Sequence, residues 1–183
     1  MKNLVEAQLT REEIFDGHVL HVVRDTVELP NGKPATREVA LHIGAVAIIP
    51  ITDKGEVIVE RQYRYPHGRE LLEIPAGKLD FKDEIPLEAA KRELREETGA
   101  VAEKFTYLGK MLPSPAVLSE VIHLYLAEGL SFGERDLDED EFLEVEKISL
   151  DELFERVMRG EIEDAKTQIG ILRAHAMLKV QKI

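Results

Sequence analysis

Glu93, Glu96 and Glu97 fall within a single short stretch, GKLDFKDEIPLEAAKRELREETGA, from Gly77 to Ala100. On a helix, at about 100° per residue, Glu97 lies roughly 40° round from Glu93 and Glu96 roughly 60° to the other side. Like charges at that spacing cost a helix a few tenths of a kcal/mol per pair. A divalent cation would turn the repulsion into ligation. Carboxylates are hard oxygen ligands, and the chain has no cysteine, so the donor set suits Mg²⁺ or Mn²⁺ better than zinc. Mg²⁺ commonly bridges a few carboxylates to substrate phosphates, so the chemistry would be metal-assisted attack on a phosphorylated substrate. Taken alone, the same residues are better read as the solvated side of an amphipathic helix, which is what charge runs usually are.

The elements that would position these side chains have local signals. Pro86 suits a first helical turn and Gly99 a helix end, which predicts a helix near Pro86 to Thr98 with Leu87, Ala90 and Leu94 on a core-facing flank. Upstream, Val23, Val27 and Leu29 alternate with polar residues, and Pro30-Asn31-Gly32 provides turn chemistry, so an N-terminal β-hairpin is expected between Val19 and Ile43. The nearly continuous apolar run GAVAIIPI, then EVIVERQYR, predicts a second and more buried hairpin. Past the helix, KFTYLGKML and VIHLYLAEGL read as strands around the proline-containing loop PSPAVLSE. An acidic stretch, ERDLDEDEFLEVEKI, leads to Ser149, an N-cap for the next helix; Asp164 or Thr167 would start the last one.

At 183 residues the chain has room for one catalytic unit, with a small appended subdomain. Its net charge of −12 disfavours nucleic acid. Without cysteine there can be no disulfide framework, thiolate metal site or cysteine nucleophile. No stretch is long and uncharged enough for a membrane-spanning helix, so a soluble, cytoplasmic protein without membrane partners is expected.

Gly77, Glu84 and the run Arg92-Glu93-Leu94-Arg95-Glu96-Glu97-Thr98-Gly99-Ala100 together resemble the box of the Nudix hydrolases. Seven residues separate Glu84 from Arg92, as in that pattern, whereas six residues rather than five separate Gly77 from Glu84. The additional residue enlarges the loop before the helix. The resemblance covers most of the chain and is nearest to the ADP-ribose and nucleoside diphosphate sugar hydrolases. RQYR (Arg61 to Arg64) followed by LLEIPAGKLD, Pro115 sixteen residues after Gly99, the acidic DEDE (Asp138 to Glu141) and GEIEDAKT all resemble that branch. Ala116 stands where its common form has glycine.

This resemblance implies a Nudix-type α/β/α sandwich with a mixed sheet over residues 44–183, preceded by a small antiparallel β subdomain over 1–43. It implies Mg²⁺-dependent hydrolysis of the diphosphate bond of nucleoside diphosphate sugars, ADP-ribose and GDP-mannose among them, to a nucleoside monophosphate and a sugar phosphate. Glu93 and Glu97 would be the principal ligands, with Glu96, Glu141 and the Ala76 carbonyl completing a site of two or three ions, Mn²⁺ being an alternative metal. Glu139 would be the base, exchangeable with Glu141. Glu84 would orient Arg92, and Arg64, Arg61, Glu120 and Ser114 would meet substrate. A homodimer built through the N-terminal part is implied, with Phe15 a candidate contact. Competing readings are a Nudix hydrolase of dinucleoside polyphosphates, which would need different loops, and a non-catalytic ADP-ribose sensor, in which box glutamates are often lost. An isopentenyl-type isomerase would need an active-site cysteine, which this chain lacks.

Overall fold

The computed structural model of the chain describes residues 4–137 and 142–180. Its contacts divide it into two compact units, one made of the residues up to Gly44 with Leu112–Val121, the other of Ala45–Met111 with the chain from Ile122 onward.

The first unit is a three-stranded antiparallel sheet in the order β1-β2-β3, with β1 at Ala7–Asp16, β2 at His21–Glu28 and β3 at Pro34–Leu41. The expected hairpin is β2 and β3. A strand not anticipated, β1, pairs with the other side of β2. All ten of its side chains are exposed, so no alternation of buried and solvated positions marks it in the sequence. In β2 the inward face is Val23, Asp25 and Val27. Asp25 is tolerated there because Arg11 of β1 grips its carboxylate at 2.8 and 2.7 Å, which holds the Asp25 carboxyl below the usual carboxylate range. The loop Leu112–Val121 joins this unit through backbone bonds between Ala40 and both Val117 and Ser119.

In the second unit β4 (Ala45–Pro50) lies between β7 (Ala76–Lys78) and β9 (Ile122–Phe132), with β8 (Ala100–Met111) beyond β9. The β4–β9 pair is parallel and the others antiparallel, so this sheet is mixed. A second sheet has the order β10-β5-β6, from Leu143–Ser149, Glu56–Arg64 and Arg69–Glu73. The continuous apolar run of β4 has a simple cause: both of its faces are covered. Ala45, Ala47 and Ile49 pack with Leu153 and Val157 of α2 (Leu150–Met158) and with Ile171 and Ala174 of α3 (Ala165–Val180). Val46 and Ile48 face the other way, onto Ala89, Ala90 and Leu94 of α1 (Pro86–Thr98). This is the expected α/β/α sandwich.

The helix boundaries follow their caps. Pro86 opens α1, and Gly99 closes it in the left-handed conformation, its N–H donating to Arg95 O at 2.9 Å. Ser149 Oγ accepts the Glu152 N–H and starts α2. Asp164, not Thr167, precedes α3 and accepts the Thr167 N–H at 2.9 Å. The acidic stretch before Ser149 contains strand β10, hidden in the sequence by its charged residues and paired along its length with β5.

Candidate active site

Strand β7 and helix α1 bring the box residues together. The Ala76 N–H donates to Glu97 Oε2 at 3.0 Å, and Glu97 is only 4 % exposed. A buried carboxylate with a backbone donor stays charged if further positive partners are supplied. Glu93 lies against Gly77 so closely that a Cβ on Gly77 would fall 2.0 Å from the Glu93 carboxyl carbon. A side chain at 77 would displace the Glu93 carboxylate from this seat.

Arg92 is the hub of the cluster. Its Nη1 reaches Glu93 at 2.8 Å and Glu96 at 3.2 Å, its Nε lies 3.2 Å from Asp80, and its Nη2 lies 3.5 Å from Glu84 and donates to the Lys78 carbonyl at 3.2 Å. Burial pulls the Arg92 pKa down, but the surrounding Glu93, Asp80 and Glu96 charges outweigh it, and the group is pushed above its ordinary value. It is a permanent cation. Glu84 also accepts the Asp80 N–H at 2.7 Å, so it pins the enlarged loop ahead of α1 as well as lying next to Arg92.

Among the described residues no three acidic or imidazole groups converge on one point as a metal cluster. Glu93 and Glu96 share Arg92 instead. The donors nevertheless fit a hard divalent cation: they are carboxylate oxygens on one helix, with Glu93 seated in a cradle that a Cβ would fill and Glu97 buried beside the Ala76 backbone. Glu139 and Glu141 lie outside the described residues.

A second cluster gathers at the end of β5. Arg64 grips Glu73 of β6 through Nε and Nη2 at 2.6 and 2.7 Å. Glu73 is 3 % exposed, and Lys166 of α3 also binds its carboxylate. Burial alone would raise the Glu73 pKa, but Arg64 and Lys166 overcome it and hold the carboxyl below its ordinary value. Glu97 is close enough to contribute to raising the Arg64 pKa, which links this cluster electrostatically to α1. Arg61 pairs with Glu146 at 2.8 Å. In the first unit, Glu120 lies 3.6 Å from His42 Nδ1, and the Ser114 carbonyl accepts the Val117 and Leu118 N–H groups.

Sequence reading did not single out Asp80, Glu73 or Lys166, and it named Thr167 only as a helix start. Glu73 and Lys166 stand inside motifs that carried the resemblance, LLEIPAGKLD and GEIEDAKT, but 93 positions separate them and nothing local pairs them. His175 is buried, stacks on Phe154 and lies 3.0 Å from Asp151.

The NUDIX domain pattern matches residues 41–168, and the pattern described as the nucleoside diphosphate sugar hydrolase N-terminal domain matches residues 6–40. The chain belongs to the Nudix family. It is 45 % identical to an ADP-ribose pyrophosphatase of Bacillus subtilis over 100 % of both chains. It is 44 % identical to a methanol dehydrogenase activator of Bacillus methanolicus, over 91 % of this chain and 90 % of that one. A crystal structure of an ADP compounds hydrolase superposes with a TM-score of 0.86 at 26 % identity, covering 99 % of this chain and 98 % of the other. The likeness of this Nudix hydrolase to these proteins thus runs along nearly the whole chain and is not confined to the box.

Proposed function

We propose that the protein hydrolyses the diphosphate bond of nucleoside diphosphate sugars, ADP-ribose and GDP-mannose included, to a nucleoside monophosphate and a sugar phosphate. Relatives named ADP-ribose pyrophosphatase and GDP-mannose pyrophosphatase support the substrate class. The observation that carries the reading is the seating of Glu93 and Glu97 against the Gly77 and Ala76 backbone, with Glu97 within electrostatic reach of Arg64.

In the reaction, water adds its oxygen to one phosphorus while the bond from that phosphorus to the bridging oxygen breaks. One proton of the water must be taken up and the leaving phosphate accommodated. Glu93 and Glu97, with Glu96, Glu141 and the Ala76 carbonyl, would hold two or three Mg²⁺ ions, or Mn²⁺ in their place. The metal would neutralise the diphosphate and lower the pKa of a bound water. Glu139 takes the proton, with Glu141 as the exchangeable neighbour. Arg92, braced by Glu84 and Asp80, holds Glu93 and Glu96 on one side of α1. Arg64 faces the substrate phosphate; Arg61, Glu120 and Ser114 serve binding.

The reading extends to a cytoplasmic homodimer, without nucleic-acid or membrane partners, in which the N-terminal residues 1–43 form the dimerisation subdomain and residues 44–183 the catalytic one. The exposed Leu9, Ile14 and Phe15 of β1 support such an interface.

Product analysis tests the activity: ADP-ribose, GDP-mannose, UDP-glucose and a dinucleoside tetraphosphate are incubated with the protein, with Mg²⁺ and with chelator. Monophosphate plus sugar phosphate, formed from the sugar nucleotides only with metal, is expected. Binding of ADP-ribose without cleavage would replace the reading with a sensor role.

A further inference from the structure

The Arg64 guanidinium has already committed Nε and Nη2 to the Glu73 carboxylate. Glu73 is shared. Lys166, in the first turn of α3, also binds Glu73 Oε2 with its side chain only 12 % exposed. Arg64, at 39 % side-chain exposure, is the outward member of a group in which Lys166 bridges Glu73 and Asp164. Asp164, 3.2 Å from Lys166, also accepts the Thr167 N–H at 2.9 Å and the Thr167 hydroxyl at 2.6 Å, which fixes it and Lys166 at the start of α3.

We propose that Lys166 is a positioning residue for substrate binding: by holding Glu73 from the α3 side, it fixes the Arg64 guanidinium toward the substrate diphosphate. This rests on the assignment of Arg64 to substrate given above. The same corner is tied down through the backbone. Thr167 Oγ1 accepts the Ile74 N–H at 2.9 Å, and two residues on, the Ala76 N–H reaches Glu97. The segment from Glu73 to Ala76 is therefore anchored to α3 at one end and to α1 at the other, and the bidentate fork, with its fixed plane, transmits that anchoring to Arg64.

The test compares KM and kcat for ADP-ribose with saturating Mg²⁺ in the wild type, Lys166→Met, Lys166→Arg, Arg64→Ala and the Lys166→Met/Arg64→Ala double variant. Lys166→Met is expected to raise KM about tenfold, about 1.4 kcal/mol, with kcat changed by less than about threefold. Lys166→Arg should recover most of the loss, and in the Arg64→Ala background Lys166→Met should add almost nothing to KM. KM does not depend on the folded fraction, so partial unfolding cannot imitate this result. If Lys166→Met yields no folded protein, Lys166→Gln takes its place, since its shorter neutral side chain loses the ion pair to Glu73 while keeping a polar group in the site. If Arg64→Ala raises KM but Lys166→Met does not, or if the two effects multiply in the double variant, the proposal is overturned while the assignment of Arg64 survives. If Arg64→Ala leaves KM unchanged, the assignment itself fails, and the proposal falls with it.

Discussion

Glu97 is the most enclosed of the box carboxylates, with a backbone N–H on one oxygen and 4 % exposure. Glu97→Gln keeps the shape and removes the charge, so turnover should fall by at least about a hundredfold while the far-ultraviolet circular dichroism is unchanged. Near-normal turnover would remove Glu97 from the metal site. Arg92 has the opposite duty, holding Asp80, Glu84, Glu93 and Glu96 together. In Arg92→Met those carboxylates would repel one another, and urea denaturation should show a loss of about 1–3 kcal/mol, discounted for partial exposure. Mg²⁺ should restore more stability to this variant than to the wild type, because the ion would replace the missing cation. The box carboxylates were legible in the sequence because their spacing on a helix is local. Asp80 was not, since its meeting with Arg92 depends on how the enlarged loop folds back.

At the scale of elements, the site is an apposition of α1 and β7. Gly77→Ala would put a methyl group 2.0 Å from the Glu93 carboxyl carbon, so the Glu93 side chain must move. Activity should drop by about tenfold or more, with a smaller effect on thermal stability, as read by initial rates beside calorimetry. Gly99 tests the other end of α1. Its φ is +70°, and a Cβ there would approach the Gly133 carbonyl oxygen to 2.6 Å, so Gly99→Ala should cost about 1–3 kcal/mol in chemical denaturation. The helices were readable from Pro86, Gly99 and Ser149 because caps act over three or four residues. Strands β1 and β10 were not, because β1 buries none of its side chains and β10 is rich in charge; both are defined by the strands they pair with.

Across the whole molecule, α3 is joined to the second sheet by charge as well as by apolar packing, through Lys166 and Glu73. The folded-state pKa of Glu73 is depressed below its ordinary 4.5. Its contribution to stability is therefore complete above the unfolded value and is lost as pH falls through the folded one. The melting-temperature difference between the wild type and Glu73→Gln should be largest near neutrality and should shrink as pH is lowered below about 4.5. A difference that stayed constant down to acid pH would mean that the Glu73 charge is not what joins α3 to the sheet.

The sequence by itself determined both the helix that carries Glu93, Glu96 and Glu97 and the family, because capping and motif spacing are written in neighbouring residues; the second hairpin expected of GAVAIIPI and EVIVERQYR does not form, since β4 and β5 pair in different sheets. Only the tertiary structure decided that Glu97 meets the Ala76 backbone, that Glu93 rests in the space left by Gly77, and that Arg64 and Lys166 share Glu73. Those contacts join residues from 9 to 93 positions apart. They exist because strand register and helix packing bring the groups within hydrogen-bonding distance, and a buried carboxylate must find its cations wherever the fold places them.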